Sequence, residues 1–272
     1  MKKIKGIVLD WAGTIVDFGS LAPMGAFVEL FARHQIHITI EQARIPMGLP
    51  KIDHIIALGQ MKEISNQWTK IYNRTFNSVD AKNLLLEFEP MSAKAAIERS
   101  DFIPGFLEIY KQLSKQGIRF ASTTGYTRKI MTPLIEKAQS LGFSPELVIC
   151  CDDVAKSRPD PMGMYECLKA MDLVGQSDQV IKVDDTKPGI AEGLAAGCWT
   201  IGVSASGNAL GWSLESWKSA GPSEKDMAIS KATQSLKKAG AHLVIESVAN
   251  LDSAIEKFEN ENYSLDRKEF QN

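Results

Sequence analysis

The sequence predicts an α/β fold: a Rossmann-like parallel-sheet core with an inserted all-helical cap domain. Three observations lead there. Short apolar, β-branched runs recur along the chain, each closed by loop-forming residues. Most of these runs are separated by stretches of helical periodicity, the alternation from which parallel sheets are built. Between about 19 and 103 the alternation is suspended and only helical patterns occur. Two units are therefore expected, a core of residues 1–18 and 104–272 and a cap of residues 19–103.

The first strand is expected over Ile4 to Leu9 and runs into Asp10-Trp11-Ala12-Gly13-Thr14. Asp10 interrupts it too soon for a signal sequence, and no apolar run approaches the roughly 20 residues needed to span a bilayer. Helical patterns follow over Met24 to Arg33, Glu41 to Ala43, Ile52 to Leu58, Ile64 to Phe76 and Ala81 to Glu98. An all-helical block placed here reads as a cap over the carboxyl edge of the sheet, where open α/β sheets bind ligands. The core resumes with Phe106, Ile109, Tyr110 and Leu113 at helical spacing, and Gly117 stops that helix. Further strands are expected over Ile118 to Ala121, Leu147 to Cys150, Val180 to Val183, Cys198 to Val203 and His242 to Ile245, with Gly197 ending another helix. Residues 204–240 hold turn signals around Ser206-Gly207-Asn208 and Gly221-Pro222, then a polar helix, and suggest no chemistry. The charged tail from Glu256 to Asn272 is expected to end as frayed helix or disorder.

Lys plus Arg number 31 and Asp plus Glu 33, so a formal net charge of -2 gives no electrostatic case for nucleic acid or an anionic membrane surface. A small-molecule partner is expected. Cys150, Cys151, Cys167 and Cys198 show neither zinc-type spacing nor a disulfide framework, which points to a reduced, cytoplasmic setting.

Chemistry gathers at the strand ends. Asp10 precedes Gly13 and Thr14, a loop whose amides can approach a phosphoryl group. Ser122-Thr123-Thr124-Gly125-Tyr126-Thr127 brings hydroxyls to the same edge, with Thr124 the better phosphate contact; a helix cap is the plainer alternative. In Lys156-Ser157-Arg158-Pro159, Pro159 would suit the entry to another helix and leave the Arg158 guanidinium free to stabilise phosphoryl charge, with Lys156 a competitor and a solvated surface role the ordinary outcome. Val183-Asp184-Asp185-Thr186 closes an apolar strand with paired acids, suited to a hard cation beside Asp10; Asp185 is favoured as the direct ligand, with Asp184 direct or water-mediated. Within Met47-Gly48-Leu49-Pro50-Lys51-Ile52-Asp53-His54, Lys51 and His54 share a helix face. The helix dipole and burial would both depress the lysine pKa. A carboxylate nucleophile and an amine nucleophile together suit an aldehyde that carries a phosphonate. His34, His37 and His242 read as structural or solvated.

In this order, Asp10, Thr124, Arg158 and Asp184-Asp185 resemble the four motif positions of the haloacid dehalogenase-like superfamily. More narrowly, the Asp10 to Thr14, Met47 to His54, Thr124-Gly125-Tyr126 and Val183 to Ile190 segments resemble its phosphonatase family, the phosphonoacetaldehyde hydrolases. The resemblance implies cleavage of a C–P bond through an imine on Lys51 and a phosphoryl group on Asp10. It also implies that His54 moves protons, that Met47, Gly48, Gly125 and Tyr126 shape the pocket, and that Thr124 and Arg158 bind the phosphonate. Magnesium held by Asp10, the Ala12 carbonyl, Asp184 and Asp185, and a homodimer paired through cap helices, follow on the same ground. Ala12 stands where phosphatases of the superfamily carry an acid for an ester leaving group, which weighs against a rival phosphomonoesterase reading. Retention of Asp10 weighs against a catalytically silent interaction module. Three positions depart from the pattern: Gly189 replaces a second acid, leaving Glu192 as a candidate ligand; Ser20 replaces a cysteine; and Pro50 precedes the lysine.

Overall fold

The computed structural model describes residues 4–260. Strand β1 (Gly6–Leu9) is followed by five helices: α1 (Ala22–Arg33), α2 (Ile40–Arg44), α3 (Lys51–Gln60), α4 (Lys62–Tyr72) and α5 (Ser78–Glu98). The chain then alternates through α6 (Phe106–Lys115), β2 (Arg119–Thr123), α7 (Arg128–Ser140), β3 (Val148–Ile149), α8 (Met162–Ala170), β4 (Val180–Asp184), α9 (Lys187–Ala195) and β5 (Trp199–Val203). It closes with α10 (Leu214–Ser219), α11 (Pro222–Lys238), β6 (Leu243–Ile245) and α12 (Leu251–Asn260). All six expected strands are present.

The strands form one parallel sheet in the order β3-β2-β1-β4-β5-β6. Successive connections run outward in opposite directions from β1, so β1 and β4 flank the switch point at which open α/β sheets leave a crevice. Register levels the strand ends: Leu9 lies beside Ser122 on one side and Val183 on the other. Asp10, the threonines after Ser122 and the acids after Val183 therefore emerge side by side. Side chains alternate across the pleat, so Ile7 and Leu9 join one apolar cluster while Val8 joins another beneath α8. Lys182 breaks the apolar run of β4 and is wholly buried.

The passages into and out of the five-helix segment lie against each other. Val16 bridges to Phe102, the Asp17 amide donates to Asp101 O at 3.3 Å, and the Ile103 amide donates to Ile15 O at 2.8 Å. Helix α5 packs on α1, α3 and the core helix α7.

Some local expectations need correction. Pro159 does not open α8, which begins three residues later with Pro161 at its N-cap. Helix α10 has no counterpart in the sequence reading, since its six residues bury no apolar face. Residues 261–272 of the charged tail lie outside the described residues. Among the described residues no helix is long and apolar enough to cross a membrane.

Candidate active site

Asp10 is fixed by its amide, which donates to Val183 O at 3.0 Å, and the residue is 5 % exposed. Gly13, at φ +85°, lets the following turn fold onto Asp185: a Cβ there would lie 2.2 Å from Asp185 Oδ2. The Ser206 hydroxyl clamps that turn by donating to Gly13 O at 2.7 Å. Asp185 itself accepts from the Asn208 amide at 2.6 Å and from the Thr14 hydroxyl at 3.3 Å.

Asp184 is differently placed. It pairs with Arg158 at 3.2 Å and with Lys182 at 3.1 Å, and accepts from the Thr186 amide and hydroxyl at 2.9 and 2.7 Å. Burial alone would raise its pKa, but the two cations overrule burial and hold it below the ordinary carboxylate value. Burial, followed by the charges of Asp10 and Asp184, pushes Asp185 well up; burial and Asp184 lift Asp10 to about 6.

Contrary to the expectation of a free guanidinium, Arg158 is fully engaged, because a buried guanidinium must satisfy its donors locally. It contacts Asp10 at 2.9 Å and Glu192 at 3.1 Å, and donates to Thr123 O at 2.6 Å. Its charge still borders Asp10. Lys156 is exposed and takes no part. Glu192 is bound on the far side of this network by Arg158, Lys182 at 3.5 Å and the Thr123 hydroxyl at 2.7 Å. It is therefore engaged elsewhere and stands apart from the acid cluster. At Gly189 a Cβ would lie 1.9 Å from Asp184 Oδ2, so the space a second acid would need is already filled.

Asp10, Asp184 and Asp185 each offer an oxygen within 4.8 Å of the others. Counting Glu192, four buried acids are ion-paired with two buried cations, Arg158 and Lys182, while the Lys51 amine faces the same cavity without an ion pair among the described residues. A divalent ion would offset the remaining negative charge, and an all-oxygen set suits a hard one. The residues present thus fit a metal.

The amine arrives from the helical segment. Gly48 adopts φ +92°, and a Cβ there would stand 2.3 Å from Thr186 Oγ1; across the turn, a Cβ on Gly125 would stand 2.8 Å from Leu49 O. The turn before Lys51 is thereby clasped between the loops after β2 and β4. Pro50 ends it, and Lys51 is the first residue of α3. The lysine is 3 % exposed; its Nζ lies 4.0 Å from Met47 Sδ and 4.7 Å from the Tyr126 ring centroid. Burial lowers its pKa from 10.5 to about 8.

His54 is buried against Phe27, ring centroids 3.9 Å apart. Its Nε2 is 2.9 Å from Ala43 O, and because a carbonyl only accepts, Nε2 carries the proton. Nδ1 is left as a buried lone pair without a hydrogen-bond donor. Burial, then the Lys51 charge, holds the ring neutral, well below its usual pKa.

Both halves line one cavity: Asp10, Ala12, Thr124 and Arg158 from the sheet edge, Met47, Gly48 and Lys51 from the helices, with Gly125, Tyr126, Ser20, Pro23 and Thr186. Thr124 caps no helix; its hydroxyl accepts from the Tyr126 amide at 3.2 Å. Sequence reasoning missed Lys182, Thr123, Asn208 and Ser206. A lysine inside an apolar strand was a legible signal for the first, whereas the others show only through the fold.

A model of the haloacid dehalogenase-like hydrolases matches residues 4–197, and the chain belongs to that family of enzymes. Within it, the similarity is to phosphonoacetaldehyde hydrolases. The protein of that name from Paraburkholderia xenovorans is 43 % identical over 251 residues, 92 % of this chain and 94 % of its own. That from Hahella chejuensis is 40 % identical over 258 residues, 94 % and 87 % of the two chains. The crystal structure of a phosphonoacetaldehyde hydrolase-like protein from Oleispira antarctica superposes with a TM-score of 0.93 at 40 % identity, covering 94 % of this chain and 93 % of that one.

Proposed function

We propose that this enzyme hydrolyses the C–P bond of phosphonoacetaldehyde to acetaldehyde and phosphate. The observation that carries this reading is the buried amine of Lys51 opening on the same cavity as the Asp10 carboxylate. The names of its relatives support the substrate. Ala12 supports it too, because carbon leaving phosphorus needs an electron sink rather than a proton donor on oxygen.

Neutral Lys51 adds to the aldehyde and water leaves, giving an imine that is protonated to the iminium. His54 Nδ1 is the base that takes a proton from the amine as it adds. Asp10 attacks phosphorus, and the C–P electron pair passes into the iminium to form an enamine. Water releases phosphate from Asp10. Protonation of the enamine carbon regenerates an iminium, and its hydrolysis frees acetaldehyde and the amine. Arg158 and Thr124 stabilise charge on the phosphonate oxygens. Asp10, Asp184, Asp185 and the Ala12 carbonyl would hold magnesium, which supplies charge neutralisation at the phosphonate. Residues 19–103 act as a cap that encloses the substrate, and the enzyme works as a cytoplasmic homodimer.

The test is incubation with phosphonoacetaldehyde and magnesium, on protein whose mass by light scattering is expected to be two chains. Phosphate and acetaldehyde should appear in equal amounts, and borohydride should fix the two-carbon unit on Lys51. Phosphate without acetaldehyde, or a reduced adduct on another lysine, would overturn the assignment.

A further inference from the structure

Arg44 ends α2, seven residues before Lys51, and its side chain reaches out of the helical segment. Nη1 donates to Gly19 O at 3.0 Å, to Asn208 O at 3.3 Å and to Asn208 Oδ1 at 3.0 Å, while Nη2 donates to Gly211 O at 3.1 Å. Among the described residues none of its hydrogen bonds goes to a carboxylate; neutral oxygens receive them all. A planar fork of fixed geometry serves such a grip better than a point charge. The far side is shaped to receive it. Gly211 adopts φ +71°, and a Cβ there would lie 2.6 Å from Arg44 Cζ, so only glycine lets this carbonyl approach.

The grip continues in both directions. Asn208, held by its carbonyl and its side chain, donates its own amide to Asp185 at 2.6 Å. On the other side Ala43, next to Arg44 in the chain, holds His54 through its carbonyl at 2.9 Å. The end of α2 therefore touches the partner of the lysine and, one residue on, the support of the acid cluster. We infer that Arg44 is a positioning residue, fixing the amine-bearing helices in register with the carboxylates that handle phosphorus. The inference depends on the phosphonatase reading only for the substrate that reports it.

Two variants separate geometry from charge: Arg44→Met removes both, and Arg44→Lys keeps charge but loses the fork. In Arg44→Met, borohydride trapping on Lys51 should persist, because imine formation needs only the amine, while kcat for phosphate release falls roughly 100-fold, the effect of a misplacement of about 1 Å. KM should change much less. Independently of turnover, acetylation of Lys51 in metal-free protein, followed by mass spectrometry, should quicken about tenfold as the segment loosens. Arg44→Lys should restore only part of either effect. Should Arg44→Met fold poorly, Gly211→Ala displaces the carbonyl with Arg44 intact and is expected to quicken acetylation similarly. Unchanged acetylation in the folded variants, or full recovery in Arg44→Lys, would overturn the assignment. A wild-type protein that ignores phosphonoacetaldehyde while Arg44→Met still exposes Lys51 would defeat the substrate reading and leave Arg44 in its role.

Discussion

Lys51 shows how one side chain can be useful to chemistry and unfavourable to folding. Its folded pKa of about 8 lies below the ordinary 10.5. Between those values the unfolded chain keeps a proton that the folded chain has shed, so stability rises with pH across that interval. Below 8 the folded state holds a buried ammonium at a penalty of about 3 kcal/mol. Lys51→Met should therefore melt higher than wild type at pH 7 and lose that advantage toward pH 10.5, while borohydride trapping disappears. Thermal unfolding at the two pH values decides this, and a lower melting point at pH 7 would count against a strained amine. His54 and Gly189 make a similar point about legibility. The spacing of Lys51 and His54 announced a shared face, but the proton on Nε2 is assigned only by the Ala43 carbonyl. Gly189 stands where the sequence alone suggests a missing ligand, but the Asp184 carboxylate fills the space a side chain there would need.

Among the elements, the turn from Met47 to Pro50 has the most exacting fit. Gly48→Ala would force a Cβ toward Thr186 Oγ1 at a φ of +92°. The backbone conformation alone should cost about 1–2 kcal/mol. Displacement of Lys51 should lower kcat by roughly 100-fold. Steady-state kinetics beside a melting curve would check both, and wild-type turnover would show that the clasp is dispensable. The strands were legible because each is a short apolar run closed by turn residues, and the motifs were legible because they stand where those runs stop. What escaped were partners supplied from afar. Ser206 and Asn208 serve Gly13 and Asp185 across 193 and 23 residues respectively, through contacts no local pattern encodes. Lys182 shares a face of β4 with Asp184 through the alternation of the pleat, whereas Thr123 and Glu192 reach it only through the packing of the fold.

For the molecule as a whole, the balance of buried charge at the sheet edge is the governing quantity. Asp10, Asp184 and Asp185 crowd three carboxylates together, and proton uptake by Asp10 and Asp185 relieves their mutual repulsion. A divalent ion must displace those protons, so its affinity should fall as pH drops through about 6. Magnesium at about a hundredfold excess over its Kd should stabilise the fold by roughly 2.7 kcal/mol. The melting point should rise by about 5 °C for a chain of this size. Differential scanning calorimetry at pH 7.5 and pH 5 would measure it; an equal shift at both would argue that the ion binds away from these acids.

The side-by-side passages at Val16 and Phe102 carry a consequence for how such an enzyme is assembled. A stretch of chain that departs and returns through one doorway leaves the strand order indifferent to its contents. On the proposed mechanism, the carboxylates that meet phosphorus and the amine that meets the carbonyl would then sit on different stretches of a single polypeptide, and a change of leaving-group chemistry would be expected to leave the sheet beneath it in place.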